Sequence, residues 1–568
     1  MTAASPSAPL APRVRAKASR DQWTLAAGLL AVAALLVAFV ALPLYALLSK
    51  SFEDANGAFV GLANYAKFLE TPALSASAAN SLTISIITAV VTTALAFVYA
   101  YALTRSCMKA RAFFKGLALL PLLAPSLLPG ISLVYLFGNQ GLLKSWMMGA
   151  SIYGPIGIVI GEVFYTFPHA LLILLTALSI TDARLYEAAD VLGAGAVRKF
   201  LTITLPGARY GLISAFFVVF TLVITDFGVP KVIGGNYNVL ATDVYKQVVG
   251  RHDFQMGAVV GMILLLPALL AFAVDRFVQK RQVALLSARA VPFSPKPSPG
   301  FDAAMLAFCV LIAGIILALL GMAALASFVK LWPYNLEIVW KHYNFELTDG
   351  GSWASFWNSV EMSALTALFG TAIIFAGAYF VEKQKGFTRL RGAVQLLCMI
   401  PMAVPGLVLG VAYIFFFVDK ANPLNVLYHT MAILVINTIA HFYTVAHLTA
   451  VTALKQMDPE FESVSASLKV PIWRTFRRVT VPVAMPAILD ISLYLFVNAM
   501  TTVSAVVFLY APDTTLASVA VLNMDDAGDV APAAAMAMMI VYTCVVVRLL
   551  HALMSHAVLK RTQAWRRR

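Results

Sequence analysis

From about residue 24 onward the chain alternates long apolar runs with short polar segments. A helix needs roughly 20 consecutive apolar residues to cross a hydrocarbon core. Twelve runs qualify, at about 24–48, 80–104, 116–138, 153–178, 208–228, 255–275, 302–328, 358–381, 393–418, 429–452, 484–510 and 531–553. The pattern predicts an all-α polytopic membrane protein of about twelve transmembrane helices. Lysine and arginine set the expected orientation, because short cytoplasmic segments retain them. With the N-terminus inside, 32 of the 41 fall on the tail and on 105–115, 184–209, 276–296, 383–391, 455–478 and 548–568. Both termini are therefore expected in the cytoplasm. The first run is too long for the core of a cleaved signal and reads as an uncleaved span.

The runs form two copies of one plan. NSLTISIITAVVTTALAFVYAYALTR at 80–105 aligns with NSVEMSALTALFGTAIIFAGAYFVEK at 358–383, and LLPLLAPSLLPGISLVYLFG at 119–138 with MIPMAVPGLVLGVAYIFFFV at 399–418. Pro121 and Pro401, Pro125 and Pro405, and Gly130 and Gly410 coincide. Proline frees a carbonyl and tilts a helix axis, so bends are expected in the third and ninth runs. The expected organisation is a tail (1–23), a first repeat (24–286), a Pro- and Ser-rich linker (287–300), a second repeat (301–553) and a basic tail (554–568). A parallel duplication places the halves about an axis along the membrane normal, with a pathway between them.

One polar insert breaks the apolar rhythm in each half. In DARLYEAADVLGAGAVRKFLTITLP (182–206), Asp182 is placed to cap a helix whose positions Leu185, Ala188, Ala189 and Leu192 share one face. Gly193 and Gly195 end it, a second short helix carries Val197, Phe200 and Leu201, and Pro206 opens the next run. The expected shape is an elbow. DPEFESVSASLKVPIWRTFRRVTVP (458–482) has the same length, with Asp458 as cap, Pro459 at the first helical position, and Phe461, Val464, Ser465 and Leu468 on the matching face. Taken singly, such a segment also fits an amphipathic connector lying on the inner leaflet. That alternative explains neither the duplication nor the order of residues.

Composition narrows the class. Charged residues make up only 12% of the 568 and the mean hydropathy is +0.83. The net charge of +14 calls for no nucleic acid, since its excess sits where an anionic leaflet attracts it. Of four cysteines, Cys309, Cys398 and Cys544 fall inside runs and Cys107 in a polar segment, which implies neither a disulfide framework nor a zinc site. No GxxxxGK[ST] phosphate-binding loop occurs, so the chain is expected to lack its own ATPase, and no catalytic group or cofactor is expected.

Glu187-Ala188-Ala189, then Gly193, then Ile203-Thr204-Leu205-Pro206 resembles the EAA loop of ABC-type importer permeases. The resemblance implies two six-helix repeats, each of the type I importer (MetI-like) permease fold, in a bacterial inner membrane. It implies that the loop docks into a groove on a cytoplasmic ATPase, with Glu187 as a directed carboxylate, Ala188 and Ala189 as a close-approach surface and Gly193 as the turn. In the second loop Ser463 stands at the glutamate position with Glu462 one residue earlier, Lys469 replaces the glycine, Val479 and Val481 replace Ile203 and Leu205, and Pro482 remains. The implied partners are two cytoplasmic ABC ATPase subunits and a periplasmic solute-binding protein. The branch that looks most similar contains fused ferric-iron and thiamine permeases. Within it, FESVSASLKVPIWRTFRRVTVP, NAMTTVSAVVFLYAPDTTLASVAVLNMDDAGD and APAAAMAMMIVY look like permeases for 2-aminoethylphosphonate uptake.

Acidic residues inside apolar runs cost a few kcal/mol and therefore invite a functional reading. Glu162, Asp226 and Asp490 are the candidates for the translocation path, and Glu361 is a fourth intramembrane acid. The alternative for each is a pairing with a hydroxyl, histidine or amide that locks helix packing. Asp226 lies in TDFGVP, where glycine and proline interrupt regular backbone. His169, His441 and His447 share no ligand spacing with a carboxylate, so no metal site is expected. An ion-coupled secondary transporter is the competing class, and a membrane-embedded enzyme is a third with no recognisable nucleophile or phosphate cradle.

Overall fold

The computed structural model describes residues 20–284, 291, 293–384, 387–458 and 460–562. The proposed cap partner Pro459, most of the N-terminal tail, the end of the C-terminal tail and part of the 287–300 linker lie outside them. Nine helices among the described residues are long and apolar enough to cross a membrane, and three bent pairs bring the number to twelve when each pair is one span. In order these are span 1 (Asp21–Lys50), span 2 (Pro72–Arg105), span 3 (Arg111–Leu123 with Leu127–Phe137), span 4 (Pro155–Ser179), span 5 (Ala196–Thr225) and span 6 (Phe254–Gln279). The second set is span 7 (Pro299–Ala326), span 8 (Trp353–Lys383), span 9 (Thr388–Ala403 with Gly406–Phe417), span 10 (Met431–Lys455), span 11 (Ile472–Val483 with Met485–Thr501) and span 12 (Val530–Val558).

The bends fall where the repeated prolines predict. Span 3 turns by 102° at a break holding Pro125, and span 9 by 111° at one holding Pro405. Proline removes an amide donor and restricts the residue before it, so the helix stops and restarts in a new direction. Span 11 turns by 76°, a bend for which span 5 has no equivalent.

Each half's first span crosses to the other half. Span 1 lies along spans 8 and 9, and span 7 along spans 2 and 3. Tyr413 of span 9 donates a 2.6 Å hydrogen bond to the Phe39 carbonyl of span 1, and Gln384 donates to the Gln22 carbonyl at 3.0 Å. Separating the halves would expose these packed apolar faces, so the two repeats make one folded body.

On the side away from the elbows, the chain after spans 5 and 11 folds back in short buried helices, Leu240–Tyr245 and Ala517–Asp526. The repeated Asn-Ser pairs explain how each is held. The Leu240 amide donates to Ser81 Oγ at 2.8 Å and the Ala517 amide to Ser359 Oγ at 2.7 Å. Asn80 donates to the Asn238 carbonyl, and Asn358 to the carbonyls of Asp513 and Thr515. A helix N-terminus has unpaired amides, and in both halves the serine supplies a buried acceptor. The bend of span 3 packs on the corner after span 5 through Ser126 against Gly228, while Gly406 of span 9 packs against Ser504 after span 11. The small and the slightly larger partner have exchanged places between halves, which keeps the same close approach.

Candidate coupling elbows and the corner beside span 4

Both polar inserts fold as elbows. In the first, Asp182 Oδ1 accepts from the Arg184 amide at 3.1 Å and caps helix Ala183–Val191. The Arg184 guanidinium grips the same carboxylate, with Nη2 2.6 Å from Oδ2, and holds it well below the usual range at about 2. The amides of Leu192 and Ala194 return to the carbonyls of Ala188 and Ala189, and Gly193 sits between them at φ +70°. This is a left-handed helix stop, where a Cβ is normally disfavoured. In the second elbow, the amides of Leu468 and Val470 return to Val464 and Ser465 across Lys469 at φ +53°. Lysine has adopted the backbone conformation of the glycine it replaces. Each elbow then runs into a widened, π-type turn, Phe200–Thr204 and Phe476–Thr480, before Pro206 and Pro482 enter the first turn of the next helix.

The two faces of the first elbow differ in chemistry. Inward, Tyr186 is buried, bonded to Thr204 at 2.8 Å and packed on Phe293 with ring centroids 4.6 Å apart. Arg105, closing span 2, lies over the Phe293 ring and donates to the Leu178 carbonyl. Outward, Leu185, Leu192 and Val197 are 55%, 83% and 73% exposed, and Glu187 and Ala188 are exposed beside them. Ala189 and Ile203 are half-buried. Asp190 is bound by Lys199 at 2.6 Å and Lys296 at 3.4 Å, which lowers its carboxyl pKa and ties the linker to the elbow.

The second elbow also keeps an apolar outward stripe, with Val464, Leu468 and Trp473 exposed. Glu462 occupies the place of Tyr186 and is taken up in an ion pair by Lys383, which closes span 8 as Arg105 closes span 2. Its carboxylate faces the protein and not the stripe. Ser463, at the position of Glu187, and Lys469 are exposed.

The three candidate path acids are not brought together. Glu162, in span 4, has no exposed surface, and its carboxyl is set against that of Asp226. Asp226 closes span 5, half-buried, with Oδ2 accepting from the Val229 amide at 2.9 Å, and it is near enough to Glu162 for their charges to interact. Asp490 lies elsewhere, exposed near the elbow end of span 11 with its Oδ1 3.1 Å from Nε2 of His551 in span 12. In the first half the same two spans are joined by Ser214 donating to Asp275 at 2.5 Å. Asp490 thus belongs to a repeated helix clasp, with acid and partner exchanged between spans. Glu361 is exposed on span 8. Among the described residues no group of three His, Cys, Asp or Glu could hold a metal.

On the side away from the elbows the halves touch through Lys231 and Asp526, 2.9 Å apart. Toward the elbows, a cavity of about 510 Å³ opens between span 6 of the first half and spans 9 to 11 of the second, lined in part by Asp275, Arg276, Thr449 and Gln456.

Residues 93–283 and 369–560 each match the family described as the binding-protein-dependent transport system inner membrane component. The chain belongs to that family. It is therefore a multi-pass inner membrane permease subunit of an ABC importer and not an enzyme, with its permease domain duplicated. Permeases of this class work with an ATPase and a solute-binding protein. The ferric transport system permease protein FbpB of Actinobacillus pleuropneumoniae is 28% identical over 529 residues, covering 90% of this chain and 75% of its own. The Fe(3+)-transport system permease protein FbpB 2 of Haemophilus influenzae is 22% identical over 488 residues, covering 85% and 90%. A solved bacterial ABC transporter involved in the import of the acidic polysaccharide alginate is 16% identical, with a TM-score of 0.38, and covers 47% of this chain and 97% of its own.

Sequence reasoning missed the inward braces. Arg105 and Lys383 hold the elbows from behind, and the signal was available, because both end the aligned 80–105 and 358–383 segments. The linker contacts of Phe293 and Lys296 had no such signal.

Proposed function

We propose that this permease is driven by two ATPase subunits seated on the elbows at 182–206 and 458–482, with both elbows and both termini in the cytoplasm. The observation that carries the reading is the conserved elbow geometry in spite of changed residues. Gly193 and Lys469 share one left-handed backbone state, and each elbow presents an exposed apolar stripe. In the first elbow Glu187, Ala188, Ala189 and Gly193 would meet the ATPase, with Ile203 and Pro206 joining it to span 5. In the second, Ser463 and Lys469 take those positions, Pro482 opens the following helix, and Glu462 braces the elbow through Lys383.

ATP binding draws the two ATPase subunits together, the elbows follow, and the halves rock about the pathway between them. The Lys231–Asp526 contact would then part to admit cargo from a periplasmic solute-binding protein. The repeats are proposed to span 24–286 and 301–553, joined by 287–300. For cargo we favour 2-aminoethylphosphonate, from the residues of 461–482, 498–529 and 531–542 alone. Ferric iron is the second reading, from the names of the full-length relatives. Uptake into vesicles carrying ATP inside, with the binding protein outside, distinguishes them. Uptake of neither cargo, or uptake driven by an ion gradient without ATP, would overturn the reading.

A further inference from the structure

The cavity that opens toward the elbows is lined by a cation that the packing does not use. Arg276 lies one turn inside the elbow-side end of span 6, half-buried, against the space of about 510 Å³ between that span and spans 9 to 11 of the second half. A guanidinium carries five donors and needs acceptors where water is withdrawn. Among the described residues Arg276 forms no ion pair, and its side-chain hydrogen bond is to the thioether of Met399, 3.6 Å away, a weak acceptor. Asp275, its neighbour in the chain, is near enough for the two charges to interact. The oxygens of Asp275, however, accept from Ser214 at 2.5 Å and from Gln279 at 2.7 Å.

The opposite wall complements this charge. Thr449 and Thr452 of span 10 donate their hydroxyl protons to the carbonyls of Val445 and Leu448, at 2.9 and 2.8 Å, so each has only lone pairs left for what enters. Donors on the first half and acceptors on the second thus line one space, and its volume is that of a small-molecule site. The repeat shows that packing does not demand this polarity. At the 276-residue offset that puts His551 in the place of Asp275 and Asp490 in that of Ser214, the clasp recurs. At the same offset Ala552, Ile173 and Ile180 stand in the places of Arg276, Thr449 and Gln456. The clasp is repeated, and the polar lining is not.

We propose that the cavity is an inward-facing binding site for a phosphonate or phosphate group that carries an ammonium, with Arg276 taking the oxyanion and Thr449 and Thr452 the ammonium. The inference rests on the permease reading, which puts the elbows and therefore the cavity mouth in the cytoplasm. Two sources share the chemistry. One is 2-aminoethylphosphonate leaving the pathway, and the other is the headgroup of phosphatidylethanolamine from the inner leaflet.

The test uses the permease with its ATPase subunits, free of nucleotide, in phosphatidylcholine nanodiscs. Equilibrium binding of labelled 2-aminoethylphosphonate should weaken at least about tenfold with Arg276→Gln and no more than about threefold with Arg276→Lys, which keeps the charge. Ethylphosphonate, which lacks the ammonium, should compete at least about tenfold less well than the unlabelled aminophosphonate, and Thr449→Val with Thr452→Val should bring the two within about threefold.

Exchanging half of the lipid for phosphatidylethanolamine separates the sources. A headgroup occupant displaces the label and co-purifies with the parent complex but not with Arg276→Gln, whereas a cargo site binds the label equally in both lipids. Binding that Arg276→Gln leaves intact would overturn the site, as would the absence of both label binding and Arg276-dependent lipid retention. Equal competition by ethylphosphonate would overturn it without any variant, so the proposal stays testable if Arg276→Gln fails to assemble. Binding needs no turnover, and a parent complex that binds the label but shows no ATP-driven uptake would count instead against the permease reading.

Discussion

Replacing Gly193 perturbs the elbow at one defined point. A Cβ at Gly193 would meet nothing within 4 Å, so a side chain there adds no clash with its surroundings. The cost is confined to the backbone, which must hold φ near +70°. An L-residue in the left-handed region pays about 1–2 kcal/mol, more when branched at Cβ. Lys469 holds φ +53° in the equivalent turn, so lysine can adopt the state. Gly193→Lys should therefore sit near the low end, weakening ATPase association about fivefold, and Gly193→Val should reach at least about 30-fold. Lys469→Gly should leave association unchanged or tighten it by up to about fivefold. Titration of purified ATPase subunits onto the permease in nanodiscs measures all three. Gly193→Val with parental affinity, or Lys469→Gly with weakened affinity, would refute the claim that the turn's backbone state is what the ATPase reads.

Other expectations follow from particular contacts. Glu187→Lys should abolish ATP-driven uptake while leaving the protein inserted, as read by uptake alongside membrane yield; normal uptake would remove this residue from the coupling surface. Ser359→Ala leaves the buried Ala517 amide without its acceptor and should cost about 1–3 kcal/mol, seen as a lowered Tm in detergent, and Ser81→Ala should do the same at Leu240. Asp525, outside the spans, has its carboxyl raised to about 6 by burial, with Asp526 adding and Lys231 opposing. A raised acid binds a proton in the folded state that the unfolded chain has already lost. Its contribution should thus be most favourable below pH 3.8, decline as pH rises to about 6 and stay level above, a slope that Asp525→Asn removes from a Tm-against-pH series.

Much of the fold was written in the periodicity. Run lengths gave the spans, and Pro125 and Pro405 marked the two sharpest bends shared by the halves, because both signals act locally. The bend of span 11 was not foreseen. Proline occurs there at Pro482 and Pro486, but Pro206 at the start of span 5 produces no such bend, so tertiary packing decides. The elbows were legible because a cap and a helix stop are set by a few neighbouring residues. Their inward supports were less so, since Arg105 on Phe293 and Lys383 on Glu462 join segments far apart in the chain. The acids illustrate the same limit. Glu162, Asp226 and Asp490 look alike as isolated charges in apolar runs. Only the packing separates a fully buried carboxyl set against a second acid from an exposed one clasped to His551.

The central claim is that a separate ATPase moves this permease through two elbows, and cross-linking from their exposed stripes tests it most directly. Leu192→Cys and Leu468→Cys place thiols at positions 83% and 70% exposed, one on each elbow. In vesicles assembled with the ATPase subunits, both should cross-link to those subunits, with yields that change when ATP is added. Thiols that react only with reagents dissolved in the lipid, and never with the ATPase, would contradict the account.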